Sequence, residues 1–103
     1  QIFAEKLKSL LKFGIRSNRP KDAFDMYYLI DGLNRTRFRA FVKLLVFADA
    51  KMRERDFAAI AKRLERVLLS ATYLRKLAGS KVNWLQVDPK EVSTRILDFL
   101  KEM

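Results

Sequence analysis

Apolar residues recur every three or four positions along almost the whole chain, which is the spacing of helices with one buried face. No segment shows the strict alternation of apolar and polar residues that marks a half-buried strand. Turn and capping residues divide the pattern into about five helices. The predicted helices run over 1–13, from Pro20 to about Asp31, from the cap Asn34 to about Arg53, from near Asp56 toward Leu77, and from the cap Asp88 through Leu100. We therefore expect an all-α fold, a compact helical bundle that forms a single domain over 1–103.

The start of the last helix is the clearest boundary signal in the chain. Asp88 is the predicted N-cap, Pro89 suits the first helical position, and Glu91 completes a capping box. The fourth helix is less well bounded, because its pattern either continues or kinks through residues 72–74. The segment 81–87, which holds the single tryptophan, is predicted to be a loop.

Composition limits the chemistry that this chain can perform. Half of its 103 residues are hydrophobic, and 22 Lys and Arg against 12 Asp and Glu give a net charge of +10, which favours phosphate-bearing or acidic partners. Cysteine and histidine are absent, which excludes disulfides, thiolate catalysis, histidine acid–base chemistry and the usual zinc sites. Three glycines and two prolines leave no P-loop and no dinucleotide fingerprint. No uncharged stretch is long enough for a membrane span and no signal peptide is visible, so we expect the cytoplasm.

The chain opens within a helical pattern. Its first residue is Gln1, and no Ser, Thr, Asp or Asn precedes the pattern as a cap. We interpret the chain as part of a longer protein, with an ordinary frayed terminus as the alternative.

One lysine interrupts the apolar face of the first helix. On a wheel of about 100° per residue, the apolar arc is formed by Phe3, Leu7, Leu10, Leu11 and Phe13. Lys6 falls inside this arc, between Phe13 and Leu10. A lysine in that position either extends its ammonium group to solvent or has a buried anionic partner.

The second predicted helix is apolar on nearly all sides, which is usual for a buried helix, yet it carries Asp22 and Asp25 on one face. The helix dipole favours Asp22 in the first turn but explains Asp25 less well. Two close carboxylates on a buried helix need a cation, a proton or a facing lysine. Lys6 is one candidate, and a divalent metal ion or phosphates bridged by one are others. Arg19 and Lys21 at the helix start also favour phosphate there, although a structural salt bridge explains the same charges.

The densest basic run lies on the third predicted helix. Arg35, Arg39 and Lys43 share one face at intervals of four residues. This face is a candidate for tracking RNA phosphates, and an ordinary solvated helix face is the alternative.

Two short motifs resemble those of the AbiEii/AbiGii family of nucleotidyltransferase-like toxins from bacterial abortive-infection and toxin–antitoxin systems. The first motif is an A-E-K-L element at residues 4–7, and the second has the form R-x-K-D-x-x-D followed by a hydrophobic residue and tyrosine. The residues that match the second motif are Arg19, Lys21, Asp22, Asp25 and Tyr28. The likeness is dense over residues 3–30 and only general beyond them.

This resemblance implies a larger α+β nucleotidyltransferase in which a helical C-terminal part, represented by this chain, joins a polymerase-β-like core. The lysine matching Lys6 would contact nucleotide phosphates, and the acidic residue matching Asp25 or Asp22 would act as a base or hold the site together. Mg²⁺ would be bound mainly by a part of the core that carries a Gly-Ser/Thr turn and strand carboxylates. The sequence of this chain contains neither feature, so the chain alone is expected to bind no metal and to be inactive. Nucleoside triphosphate, a cognate antitoxin and, as in some relatives, the 3′ end of tRNA are the expected partners.

Two other functions fit the same sequence. The chain could be a non-catalytic basic helical module that binds RNA or a protein partner. It could instead be a structural part whose apolar excess packs on a partner, which predicts self-association of the chain.

Overall fold

Six α-helices account for most of the computed structural model, which is described here for residues 2–16, 20–81, 83 and 86–103 and shows no strand in that part. The helices are α1 (Ile2–Phe13), α2 (Pro20–Leu29), α3 (Arg35–Val42), α4 (Phe57–Leu68), α5 (Ala71–Ala78) and α6 (Pro89–Lys101). Short 3₁₀ turns, Gly14–Arg16 and Ile30–Gly32, follow α1 and α2, and a π-helical turn, Lys43–Phe47, follows α3. The predicted all-α fold is confirmed, with six helices where the sequence predicted about five.

The third helix ends earlier than predicted. It passes into the π-helical turn and stops at Phe47, not near Arg53. Asp49 accounts for the stop, because its Oδ1 accepts a hydrogen bond from the backbone N of Lys51 at 2.8 Å and its Oδ2 accepts one from Lys8 Nζ at 2.9 Å. A side chain that bonds to nearby backbone in this way offers an alternative to continuing the helix.

The fourth predicted helix is two helices. Ser70 adopts an extended conformation, and its Oγ accepts a hydrogen bond from the backbone N of Tyr73 and donates one to the carbonyl of Val67. This capping arrangement ends α4 and begins α5, so the pattern through residues 72–74 neither continues one helix nor merely kinks it.

The start of α6 agrees with the prediction in its cap but not in its capping box. Pro89 is the first residue of α6, and Asp88 caps it by accepting a hydrogen bond from the backbone N of Lys90. The carboxylate of Glu91 accepts a hydrogen bond from the hydroxyl of Tyr27 at 3.3 Å, so it serves a tertiary contact with α2. Trp84 lies outside the described residues.

An aromatic cluster lies at the centre of the core. The ring of Phe3 on α1 packs edge-on against Phe38 on α3 at 5.0 Å and Phe99 on α6 at 5.5 Å. Around it, α6 packs against α2, α4 and α5, while α1 packs against α2, α3 and α4. The fold therefore places α1 beside α2, with the inner faces of both helices in the core.

Two predicted burials are wrong. Phe13 belongs to the apolar arc of α1 but is 49% exposed, because α1 ends there and the chain turns away at Gly14. The helix α2 is not buried on all sides, since Tyr28 is 50% and Leu29 is 39% exposed at its C-terminal end. The packing leaves an apolar surface open near the start of α1 and the end of α2.

Candidate functional site

The two helices α1 and α2 bring one lysine and two aspartates into direct contact. Lys6 Nζ lies 2.9 Å from Asp22 Oδ1 and 3.0 Å from Asp25 Oδ2. Asp22 and Asp25 stand one turn apart on α2, so both carboxylates face the same side of α1. Of the two possibilities for Lys6, solvent or an anionic partner, the structure has the partner, and it is the pair of aspartates.

The three side chains differ in their access to solvent. The side chain of Asp22 is 7% exposed, that of Lys6 is 18% exposed, and that of Asp25 is 33% exposed. Asp22 therefore forms the inner wall of the ion-pair cluster, and Asp25 lies on its solvent side.

The local charges hold Lys6 in its protonated form. Burial by itself lowers the pKa of Lys6, but the hydrogen bonds and negative charges of Asp22 and Asp25 outweigh it and raise that pKa above its ordinary value of 10.5. One lysine and two aspartates give the cluster an excess of one acidic group. An anionic ligand must therefore bring additional positive charge to this site.

A small cleft opens beside the cluster. It has a volume of about 200 Å³ and is lined by Ile2, Glu5, Lys6, Ser9 and Asp22. Lys6 and Asp22 therefore both border a cavity that is open to the outside.

A buried tyrosine, for which the sequence predicted no role, lies behind Asp22. Tyr73 on α5 is fully buried, and its hydroxyl has no hydrogen-bond partner among the described residues. Burial raises the pKa of Tyr73 to about 12, and the negative charge of Asp22 adds to this rise. No sequence signal distinguishes Tyr73 from an ordinary core aromatic, because its neighbour Asp22 lies on a different helix.

The remaining predicted site residues are distributed over two places. Lys21 is exposed in the first turn of α2, next to Asp22, whereas Arg19 lies outside the described residues. On α3, Arg35 Nη2 lies 3.0 Å from Glu102 Oε2, and Arg39 Nη2 donates to the carbonyl of Met103 at 3.1 Å. These two arginines are engaged with the end of α6.

Lys43, the third member of the predicted basic face, is exposed at the first position of the π-helical turn. The basic face is therefore partly occupied by contacts within the chain, and the structure does not bring it to the Lys6 cluster.

A metal ion does not fit the described residues by themselves. In the described ranges, no group of three or more acidic, histidine or cysteine side chains is placed to hold one. Asp22 and Asp25 already hold the ammonium group of Lys6 between them, where a bridging cation would lie. Over the same ranges, no helix is both long enough and apolar enough to cross a membrane.

The chain matches a known protein family over most of its length. The family model described as "Nucleotidyl transferase AbiEii toxin, Type IV TA system" matches residues 1–94. The chain belongs to the AbiEii family. The matched range contains α1 and α2, and therefore every residue of the ion-pair cluster. No curated protein and no solved structure matches the chain at a significant level.

AbiEii proteins are nucleotidyltransferase-like toxins of a type IV toxin–antitoxin system, so the family resemblance of the two motifs is confirmed. Membership in such a system also implies a cognate antitoxin as a partner.

Proposed function

We propose that this AbiEii chain supplies two functional groups to nucleotidyl transfer: a lysine that binds nucleotide phosphates and a carboxylate that acts as a base. The observation that carries the proposal is the contact of Lys6 with Asp22 and Asp25 beside an open cleft. These three residues come from the two motifs that resemble those of the family. In phosphoryl transfer, positioning and charge neutralisation matter more than covalent chemistry, and a fixed ammonium group supplies both.

The different burial of the two aspartates supports different roles for them. Asp22 is nearly buried and holds the ammonium group of Lys6 in place. Asp25 is more accessible, so it can accept the proton of an acceptor hydroxyl while that oxygen attacks the α-phosphorus and pyrophosphate leaves. Lys21 adds positive charge in the first turn of α2 for the phosphates, and Arg19 precedes it by two residues in the sequence.

In this proposal, Mg²⁺ is bound by parts of the toxin other than the residues described here. The net negative charge of the cluster requires that the nucleotide arrives with cations, and a catalytic core elsewhere in the toxin would hold Mg²⁺ through its own carboxylates. We assign no metal-dependent step to the residues described here. The chain alone is accordingly expected to transfer no nucleotide when it is incubated with Mg²⁺ and labelled nucleoside triphosphates.

The acceptor in this proposal is RNA in the cytoplasm, with the 3′ end of tRNA as the preferred acceptor. The net charge of +10 supports a polyanionic acceptor. Labelling of total RNA by the active toxin and sizing of the labelled product would check this part separately from the roles of Lys6 and Asp25.

The roles of Lys6 and Asp25 are tested in the whole toxin by growth of cells after induction. Lys6→Ala and Asp25→Asn are expected to relieve growth arrest, and Asp25→Asn is expected to lower the transfer rate by about 10²-fold or more, the usual contribution of a general base. The matched controls are Lys8→Ala and Asp49→Asn. They remove a second lysine–aspartate pair, also 2.9 Å apart, that likewise begins on α1.

The controls separate chemistry from stability. If Lys8→Ala relieves toxicity as much as Lys6→Ala, the ion pairs act through the fold and the proposal is wrong. Full toxicity of a folded Lys6→Ala/Asp25→Asn variant would also contradict it, and salt-sensitive RNA binding by the chain would then favour a non-catalytic RNA-binding module.

A further inference from the structure

An apolar groove lies along the same seam between α1 and α2 as the Lys6 cleft. It has a volume of about 470 Å³, and the start of α1, the end of α2 and the face of α3 form its walls. Its exposed lining includes Ile2, Tyr28 and Leu29, which are 62%, 50% and 39% exposed, with Arg37 and Phe41 from α3 on the opposite side. These are three of the largest exposed apolar side chains in the described residues, and they lie together.

The groove lies next to the cleft that Lys6 lines. Ile2 lines both cavities. Ile2 precedes Lys6 by one turn of α1, and Tyr28 and Leu29 follow Asp25 by about one turn of α2, so the groove begins about 5.4 Å along the helix axes from the ion-pair cluster. The seam is therefore charged at one end and apolar and aromatic at the other.

A nucleotide has the same division, with phosphates at one end and a flat, apolar-faced base at the other. The ring of Tyr28 is half exposed, and Tyr27 holds it from one side in an edge-on contact at 5.1 Å. An exposed, supported aromatic ring is a stacking platform for a base. A protein segment in the groove would also cover the apolar walls, but it would make no use of the lysine in the neighbouring cleft.

We infer that the base of the nucleotide lies in this groove and stacks on Tyr28 while its phosphates reach Lys6. The inference rests on the phosphate-binding role proposed for Lys6. It adds a binding site for the base and assigns Tyr28, Leu29 and Ile2 to substrate binding.

The test compares ligands with and without a base. NMR spectra of the chain are recorded with each of the four common nucleoside triphosphates and with inorganic tripolyphosphate, each added with an equal concentration of Mg²⁺. Both kinds of ligand are expected to shift the signals of Lys6, whereas only the nucleotides shift the ring signals of Tyr28. Because a stacked base strengthens binding, at least one nucleotide is expected to bind about tenfold more tightly than tripolyphosphate.

Four variants test the two parts of the site separately. Tyr28→Ala is expected to remove the advantage of the nucleotide, and Tyr28→Phe to keep it, because phenylalanine also stacks. Leu44→Ala is the matched control, since Leu44 is 70% exposed on the π-helical turn and does not line the groove. Lys6→Ala is expected to weaken nucleotide and tripolyphosphate alike.

The outcomes test the base site separately from the proposed role of Lys6 in phosphate binding. If every nucleotide binds no more tightly than tripolyphosphate, or if Tyr28→Ala keeps the difference, the base site is wrong and Lys6-dependent phosphate binding stands. If neither ligand depends on Lys6, the phosphate role fails and the base site fails with it. If the NMR signals of Tyr28 change when the chain is diluted but not when nucleotide is added, the groove is a self-association surface and the inference is wrong.

Discussion

Lys6 Nζ and Asp22 Oδ1 lie 2.9 Å apart although 16 residues separate them in the chain. The contact joins α1 to α2 and places a nearly buried carboxylate against a lysine that stands within an apolar helix face. The same contact is structural and, in our proposal, catalytic. Its energetic effect can therefore be measured apart from its chemistry.

Replacing Lys6 by methionine is expected to destabilise the fold. Asp22 would remain buried without this ammonium group, and the loss of one partner of a buried ion pair leaves the desolvation cost of the other. We expect the free energy of unfolding in urea to fall by about 2 kcal/mol, less than the roughly 3–5 kcal/mol of a fully buried pair, because Lys6 and Asp25 are partly exposed. The control Lys8→Met removes a more exposed pair, with side chains 31% and 26% exposed, and should have a much smaller effect. Equal losses in the two variants would show that burial of Asp22 does not govern the effect.

Tyr73 is expected to ionise later than an ordinary tyrosine. Burial first, and then the charge of Asp22, raise its pKa in the folded protein to about 12. Since the unfolded pKa is lower, at about 10, ionisation of Tyr73 favours the unfolded chain, and the fold loses stability as the pH rises from about 10 through 12. The pKa of Tyr27 is also raised, by burial and by the charge and hydrogen bond of Glu91. In a titration followed by tyrosinate absorbance, Tyr73 should therefore give the last step, and Tyr73→Phe should lack that last step. Persistence of that last step in Tyr73→Phe would assign it to another residue.

Removing the hydroxyl of Tyr73 is expected to stabilise the fold slightly. The hydroxyl is buried and has no hydrogen-bond partner among the described residues, so it carries a desolvation cost that nothing offsets. We expect Tyr73→Phe to raise the free energy of unfolding by about 1 kcal/mol, because the ring keeps its packing. Ser93→Ala is also expected to raise the free energy of unfolding, since the hydroxyl of Ser93 is likewise buried and unpaired within the described ranges. A loss of stability in Tyr73→Phe would mean that the phenol donates to a neighbour such as Asp22 in solution.

Gly14 is expected to tolerate no side chain without strain. Its φ of +56° lies in the left-handed region, and this conformation lets the chain leave α1. A Cβ would meet Val67 Cγ2 at 3.6 Å, an ordinary contact, so the cost is conformational and not steric. We expect Gly14→Ala to lower the free energy of unfolding by about 1 kcal/mol. Gly32→Ala, where a Cβ meets nothing within 4 Å, should be neutral or stabilising, and a similar loss at both positions would refute the strain argument.

The helix boundaries that the sequence predicted well are those set by local chemistry. Pro20, Asn34 and Asp88 start or cap helices as expected, because a cap needs only its own side chain and the next two or three backbone amides. The wrong boundaries depend on contacts between distant residues. The stop after Phe47 involves Asp49, which Lys8 contacts from 41 residues away.

The candidate site also has features that the sequence predicted and features that it did not. The sequence by itself singled out Lys6, Asp22 and Asp25, because a charge on an apolar helix face is costly unless it reaches solvent or a partner. It also determined the family, because the two motifs are local strings of residues. Only the tertiary structure decided that these three charges meet one another, that Asp22 is buried and Asp25 accessible, and that Tyr73 stands behind them. The physical reason is that partner choice and burial follow from the register in which α1 packs on α2, and helical periodicity does not encode that register.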